Sequence, residues 1–75
     1  MIHYKNINGN SAIETYEILA DGIKIKFDSG CIYTFTNFSA GNRNIENMKI
    51  LASRGDGLNN YINKNVKHRY SHKTC

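Results

Sequence analysis

Apolar and polar side chains alternate along residues 12–38, and two glycine-containing turn sequences interrupt the alternation. An alternation with a period of two predicts β-strands that bury one face of a sheet. The first interruption is the pair Asp21-Gly22, which suits a two-residue hairpin turn because both central residues of that turn need positive φ. The sequence therefore predicts a three-stranded antiparallel meander over residues 12–38.

The first predicted turn also sets the pairing of the first two strands. On one face it forms three apolar pairs: Ala20 with Ile23, Ile18 with Ile25 and Tyr16 with Phe27. On the other face it forms two pairs of a different kind: Leu19 with Lys24 and Glu17 with Lys26. One face is then apolar and the other carries an opposite-charge pair, so the turn and the hydrophobic pattern agree.

The second turn, at residues 28–30, leaves two registers open for the third strand. If all three residues form the loop, Tyr33 and Phe35 face the core. If only the last two form it, every side chain of the third strand changes face, and Tyr33 and Phe35 lie beside Lys24 and Lys26 on the open face. Single-stranded nucleic acids stack on an aromatic and basic surface of that kind. The core register is favoured, because it turns the threonines of the strand toward solvent.

After a predicted loop at residues 39–42, the apolar period changes to about 3.6, which predicts two short helices. The apolar side of the first consists of four residues: Ile45, Met48, Leu51 and Ala52. Glu46 is expected in its first turn, and Asn42 or Asn44 is expected to cap it. The apolar stripe of the second, after a cap at Asp56, also has four members: Leu58, Tyr61, Ile62 and Val66. The sequence thus predicts a single α+β domain over residues 1–75, with the helices packed on one face of the sheet.

The two ends of the chain carry weaker patterns. Residues 2–4 predict a short additional edge strand, and residues 6–10 predict a loop. The chain from residue 69 to residue 75 is predicted to be a frayed tail. No apolar run approaches the length of a membrane helix or of a signal peptide, so the expected location is the cytoplasm, with no membrane partner.

The net charge of +4 is confined to the C-terminal part of the 75-residue chain. Residues 1–56 hold six basic and six acidic side chains and sum to zero. The four uncompensated cations all follow them: Lys64, Lys67, Arg69 and Lys73, with His68 and His72 in between. A basic end of this kind indicates a phosphate-bearing or acidic partner, although a solvated helix face followed by a tail would have the same composition.

Several short motifs occur in a fixed order: residues 25–35 (IKFDSGCIYTF), 52–55 (ASRG), 58–59 (LN) and Ile62. This order resembles the KTSC domain, a small family named after the C-terminal extension of some lysyl-tRNA synthetases that also occurs in stand-alone bacterial and phage proteins. The resemblance covers about residues 11–66 and implies the same α+β fold, with RNA binding inferred from the synthetase context. Tyr33 and Phe35 match the central aromatic pair of the family. The sequence lacks a proline that is common after that pair, and Gly57 stands where an aromatic residue is common.

No catalytic pattern of nucleophile and base is recognisable, so the sequence predicts a protein that is not an enzyme and needs no cofactor. His68, His72 and Cys75 could share a helical face and bind zinc with Cys31 or His3, but the basic side chains between them, Arg69 and Lys73, disfavour a cation. Cys31 and Cys75 are expected to be reduced in the cytoplasm and to form a disulfide only under oxidation, with Cys31 buried as a small apolar residue.

These observations support a small binding module whose expected partner is nucleic acid, above all RNA. Its predicted contact residues are Lys24, Lys26, Tyr33, Phe35, Lys64, Lys67, His68, Arg69 and Lys73. The alternative is a phage-encoded inhibitor, such as an anti-CRISPR or another anti-defence protein, that binds a host protein or ribonucleoprotein complex. A homodimer formed by pairing of sheet edges is a further hypothesis.

Overall fold

A computed structural model describes residues 1–7, 9 and 11–75 and has the predicted α+β fold. Its antiparallel sheet has five strands that lie side by side in chain order: β1 (Ile2–His3), β2 (Ile13–Leu19), β3 (Gly22–Phe27), β4 (Ile32–Thr36) and β5 (His72–Thr74). The helical elements are α1 (Asn37–Ala40), α2 (Asn42–Arg54), α3 (Leu58–Tyr61) and a π-helical segment (Ile62–Val66). No helix formed by the described residues is both long and apolar enough to cross a bilayer.

The predicted pairing of β2 with β3 is wrong by two residues. Leu19 lies opposite Gly22, so the turn consists of Ala20 and Asp21, neither of which has positive φ. Glycine is required at position 22 for a different reason: a Cβ there would overlap the backbone carbonyl oxygen of Phe35 in β4. The close approach of two strands therefore decides the position of the glycine, and the turn moves one residue toward the N-terminus.

A shift of two residues changes partners but preserves faces, because side chains alternate with a period of two. The apolar pairs observed on the helix-covered face are Ile18 with Ile23 and Tyr16 with Ile25. On the open face Lys24 lies opposite Glu17, where Lys26 was predicted.

The core register of β4, which the sequence favoured, is confirmed. Phe35 lies opposite Ile23 and Tyr33 opposite Ile25. The Phe27 N–H donates to the Cys31 carbonyl at 3.0 Å, and the loop between them contains Gly30 with φ of 93°. Phe35 is therefore buried, and the aromatic pair does not lie on the open face.

Both ends of the chain join the sheet as edge strands. The short N-terminal strand is confirmed as β1, with Ile2 opposite Tyr16. The loop predicted over residues 6–10 includes Asn8 and Asn10, which lie outside the described residues. The frayed C-terminal tail is wrong, because the chain turns back after the π-helical segment and β5 pairs with β4. The turn is fixed by Ser71, whose N–H donates to the Thr34 carbonyl at 2.7 Å.

The helices begin and end close to the predicted places, but their caps differ. α2 follows Gly41, so neither Asn42 nor Asn44 caps it, and its first turn holds no acidic residue, which places Glu46 further along. α3 follows Gly57 with no side-chain cap, so the predicted cap at Asp56 is also wrong. Part of the predicted loop before α2 is the one-turn helix α1, which Thr36 caps together with Ser39.

One hydrophobic core lies between the sheet and the helices. The predicted apolar residues of both helices enter it, and Leu51 and Tyr61 are only partly buried at its border. Its fully buried large side chains come from two strands, β3 and β4, and from α2, α3 and the π-helical segment: Phe35, Ile23, Ile25, Ile45, Met48, Leu58 and Val66. None of these residues belongs to β5, so the last strand lies outside the core that holds the fold together.

Candidate functional site

A cleft of about 400 Å³ lies at one end of the helix-covered face of the sheet. Its walls are β3, β4 and β5 on one side and the π-helical segment with the following turn on the other. A volume of this size falls within the range of about 300–1,000 Å³ that is usual for small-ligand sites. We call it the aromatic cleft, because three partly buried rings line it: Phe27, Tyr33 and Tyr70.

Tyr33 is the centre of the aromatic cluster. Phe27 and Tyr70 meet it edge to face at centroid distances of 5.2 and 5.0 Å, both at 84°. Phe35 lies nearly parallel to it at 6.4 Å and forms the buried base of the cluster. Edge-to-face pairs of this kind each contribute about 0.5–1.5 kcal/mol beyond the burial of their area. The rings therefore hold one another in place and present a fixed apolar surface.

Basic side chains lie around these rings. Lys73 is opposite Tyr33 in the β4–β5 register, and its Nζ lies 5.4 Å from the Tyr33 centroid, as in a cation–π contact. Lys67 and His68 line the cleft from the helical side. Asp28 also lines the cleft, so the formal charge of its walls is about one positive unit when His68 is neutral.

The π-helical segment and the turn after it form the helical side of the aromatic cleft. Ile62 and Asn63 belong to the segment and line the cleft, and Lys67 and His68 follow it directly. A π-helical turn holds more residues than an α-helical turn and so changes the direction of the side chains after it. Such turns are often found at functional sites, and here the two polar residues that follow the segment line the cleft that holds the rings.

A disulfide between Cys31 and Cys75 closes the end of the β4–β5 pair. The two residues continue the ladder in which Ile32 lies opposite Thr74, and their Cα atoms are 4.1 Å apart. This is the disulfide that the sequence allows under oxidation, and it corrects the expectation that Cys31 is a buried apolar residue, because Cys31 is only partly buried. It also removes both thiols from the zinc site considered above, and the strand conformation of His72 breaks the helical spacing on which that site depended. Among the described residues no group of three His, Cys, Asp or Glu is placed to hold a metal ion.

The structure brings five of the nine predicted contact residues together in the aromatic cleft: Tyr33, Phe35, Lys67, His68 and Lys73. Lys24 and Lys26 do not belong with them, because they lie on the open face of the sheet, where Lys26 forms an ion pair with Glu14 at 3.4 Å. Lys64 and Arg69 are exposed and do not line the cleft.

Sequence reasoning missed two rings of the site, Phe27 and Tyr70. The strand pattern predicts Phe27 in the core, and the C-terminal pattern predicts Tyr70 in a frayed tail. The signal for Tyr70 was the pair of cysteines, since a link from Cys75 to Cys31 brings residue 70 back to the sheet. Without that link, nothing in the local sequence indicates that Tyr70 meets Tyr33.

A second cleft, of about 360 Å³, lies between the N-terminal segment and the turn before α3. Tyr4 is one of its lining residues, and the Tyr4 hydroxyl accepts a hydrogen bond from the Leu58 N–H at 3.3 Å. Burial raises the pKa of the Tyr4 hydroxyl, the hydrogen bond from Leu58 opposes that rise, and the charge of Asp56 adds to it. The Tyr4 hydroxyl therefore takes the place of the missing side-chain cap of α3. This structural role accounts for the position of Tyr4 in the second cleft.

The fold and the aromatic cleft define a small α+β protein with a ring-lined, cation-bordered site. No family model, curated protein or solved structure matches the chain.

Proposed function

We propose that this protein is a non-catalytic binding module that holds single-stranded nucleic acid, RNA in particular, in the aromatic cleft. The observation that carries the proposal is the meeting of Tyr33 and Tyr70 with Lys67 and Lys73 at one site, although Tyr33 is far in the sequence from the other three. Sites that bind single-stranded nucleic acid combine aromatic rings, which stack on the bases, with basic side chains, which contact the phosphates.

Both components have a specific task in this proposal. A base inserted into the cleft stacks against the aromatic cluster, an interaction of about 1–3 kcal/mol per base. Lys67 and Lys73 neutralise the adjacent phosphates and release their counterions, which makes the affinity depend on salt. RNA is chosen over other phosphate-bearing ligands because of the resemblance to the KTSC domain, which remains a hypothesis about this chain.

The proposal is tested with a short labelled single-stranded RNA and fluorescence anisotropy across about 50–200 mM salt. We expect Lys67→Ala and Lys73→Ala each to weaken binding and to lower the slope of log K against log salt by about 0.7. Asp28→Asn removes the acidic side chain of the cleft and is expected to strengthen binding. The matched control is Lys24→Ala, which deletes the same charge from the opposite face of the sheet and should leave both quantities almost unchanged.

Two results would contradict the proposal. The first is the absence of binding at low salt by folded, oxidised wild-type protein. The second is an equal loss of affinity in Lys24→Ala and Lys67→Ala, since a general effect of net charge would then replace a site. Circular dichroism on each variant separates a loss of binding from a loss of folding.

A specific observation also favours the second candidate function, a phage-encoded inhibitor that binds a host protein. The ring of Phe38 in α1 is fully exposed and does not line the aromatic cleft. Exposed aromatic residues are typical anchors of protein interfaces. Capture from nuclease-treated bacterial lysate should then recover a protein with wild type but not with Phe38→Ser. Equal recovery with both, or none with either, would contradict this candidate.

We propose the cytoplasm as the location, as expected from the sequence. Glutathione and thioredoxin keep most cytoplasmic thiols reduced. In that compartment, Cys31 and Cys75 would alternate between the thiol form and the disulfide described above.

A further inference from the structure

We propose that the Cys31–Cys75 disulfide regulates the aromatic cleft: oxidation assembles its β5 wall and strengthens binding, and reduction releases that wall. This inference rests on the function proposed above. It concerns a pair of cysteines placed opposite each other at the end of two paired strands, 44 residues apart in the chain.

β5 has few other contacts that would hold it in place. It is the edge of the sheet and pairs with β4 alone. It has three residues, His72, Lys73 and Thr74, and all of them are exposed. A three-residue ladder gains little net stability from its hydrogen bonds, whereas ordering the segment costs backbone entropy at every residue. The covalent link to Cys31 lowers that cost because it keeps the strand near its partner.

The segment that depends on this link carries one wall of the cleft. Lys73 lies in β5 itself, over the ring of Tyr33. Tyr70 precedes the strand and meets Tyr33 edge to face, next to the contact of Ser71 with the Thr34 carbonyl. When β5 separates from β4, the cleft loses a cation and the position of one ring. The site then keeps Lys67 but not the two-sided arrangement.

The rest of the protein does not need β5. Its buried core side chains all belong to β2–β4, the connection between β1 and β2, and the helical elements. Release of the C-terminal segment is therefore expected to leave the core folded. This separation between core and wall is what allows a redox change to act on binding without unfolding the protein.

The chemistry requires an external disulfide, and we name oxidised glutathione as the oxidant. The thiolate of one cysteine attacks it, forms a mixed disulfide and releases one glutathione thiolate. The second cysteine thiolate then attacks the mixed disulfide, the Cys31–Cys75 bond forms, and the second glutathione leaves. Two thiols lose two electrons and two protons in total, and one glutathione disulfide becomes two glutathione thiols. Cys75 is exposed and Cys31 is partly exposed, so small thiols can reach the pair.

The test compares oxidised protein, protein reduced with dithiothreitol, and Cys75→Ser under both conditions. Affinity for the same labelled single-stranded RNA is measured by anisotropy, and amide hydrogen exchange is followed at residues 72–74. We expect the oxidised wild type to bind about tenfold more tightly than the reduced form, near the lower end of typical coupling between sites. Cys75→Ser should bind like reduced wild type under both conditions, and residues 72–74 should exchange slowly only in the disulfide form.

The outcomes separate this inference from the proposed function. Equal affinity in both redox states, with equal protection of residues 72–74, would overturn the inference and leave the function intact. Binding in neither state would overturn the function, and the exchange data alone would then decide whether β5 is released. Loss of the helical circular dichroism signal on reduction would show that the disulfide stabilises the whole fold, which also overturns the inference.

Discussion

Replacing Phe35 by alanine tests the register of β4, on which the aromatic cleft depends. Phe35 is 1% exposed, lies opposite Ile23 and forms the base of the aromatic cluster. Loss of the buried ring removes about 2–3 kcal/mol of transfer free energy, and the cavity that remains brings the cost to about 3–5 kcal/mol. A chain of this length has a total stability of about 4–11 kcal/mol, so the variant should be severely destabilised.

The same chain contains a matched control three residues away. Phe38 is fully exposed, so Phe38→Ala should change the free energy of unfolding by less than about 0.5 kcal/mol. Phe35→Leu keeps most of the buried volume and should cost less than about 1.5 kcal/mol, which gives a folded variant at the same position.

Urea denaturation of the oxidised proteins, followed by circular dichroism, measures these differences. In the alternative register Phe35 would lie on the open face, and both alanine variants would behave alike. A cost below about 1 kcal/mol for Phe35→Ala would therefore refute the register and the cleft derived from it.

Two further substitutions test close contacts elsewhere in the structure. Gly22→Ala should cost about 3 kcal/mol, because its Cβ would overlap the carbonyl oxygen of Phe35 and the backbone of β4 must shift to make room. Gly30→Ala is the control in the same urea experiment: its Cβ meets open space and only the positive φ opposes it, so it should cost about 1 kcal/mol. Tyr4→Phe leaves the buried Leu58 N–H without its acceptor and should cost about 1–2 kcal/mol at neutral pH. The pKa of Tyr4 is raised above its ordinary 10.0 in the folded protein. The contribution of the protonated Tyr4 hydroxyl to stability is therefore complete below pH 10.0 and is lost as the pH rises through the folded pKa. Urea denaturation across alkaline pH should show that loss in wild type but not in Tyr4→Phe.

Local patterns predicted the faces of the strands better than their partners. The alternation of side chains identified the buried sides of β2, β3 and β4, because a face depends only on whether a position is odd or even along the strand. The partners depend on the turn. At that turn, the close contact between Gly22 and the Phe35 backbone outweighs the preference of Asp-Gly for the two central positions. That contact belongs to the next hairpin, β3–β4, so the residues of the β2–β3 turn could not have shown it.

The candidate site was predictable only in part, for a related reason. Tyr33 and the C-terminal cations were identified from type and charge, but their meeting depends on β5. Every side chain of β5 is exposed, so the segment has no apolar alternation that would indicate a strand. The informative signal was the cysteine pair, whose bond implies that residues 31 and 75 are neighbours. The expectation that both cysteines are reduced gave no reason to place residue 75 beside residue 31.

The return of the chain along β4 changes what the C-terminal charge can do. On a helix end followed by a free tail, Lys67 and Lys73 would act as independent, solvated cations that any polyanion could meet separately. In the fold, Lys67 reaches the aromatic cluster from the helical side and Lys73 reaches it from the sheet. Two cations on either side of the same rings can contact successive phosphates of one strand while a base stacks between them. Under the proposed function, a preference of the site for a single strand would therefore depend on the attachment of β5, because the basic composition alone does not place the two cations around the rings.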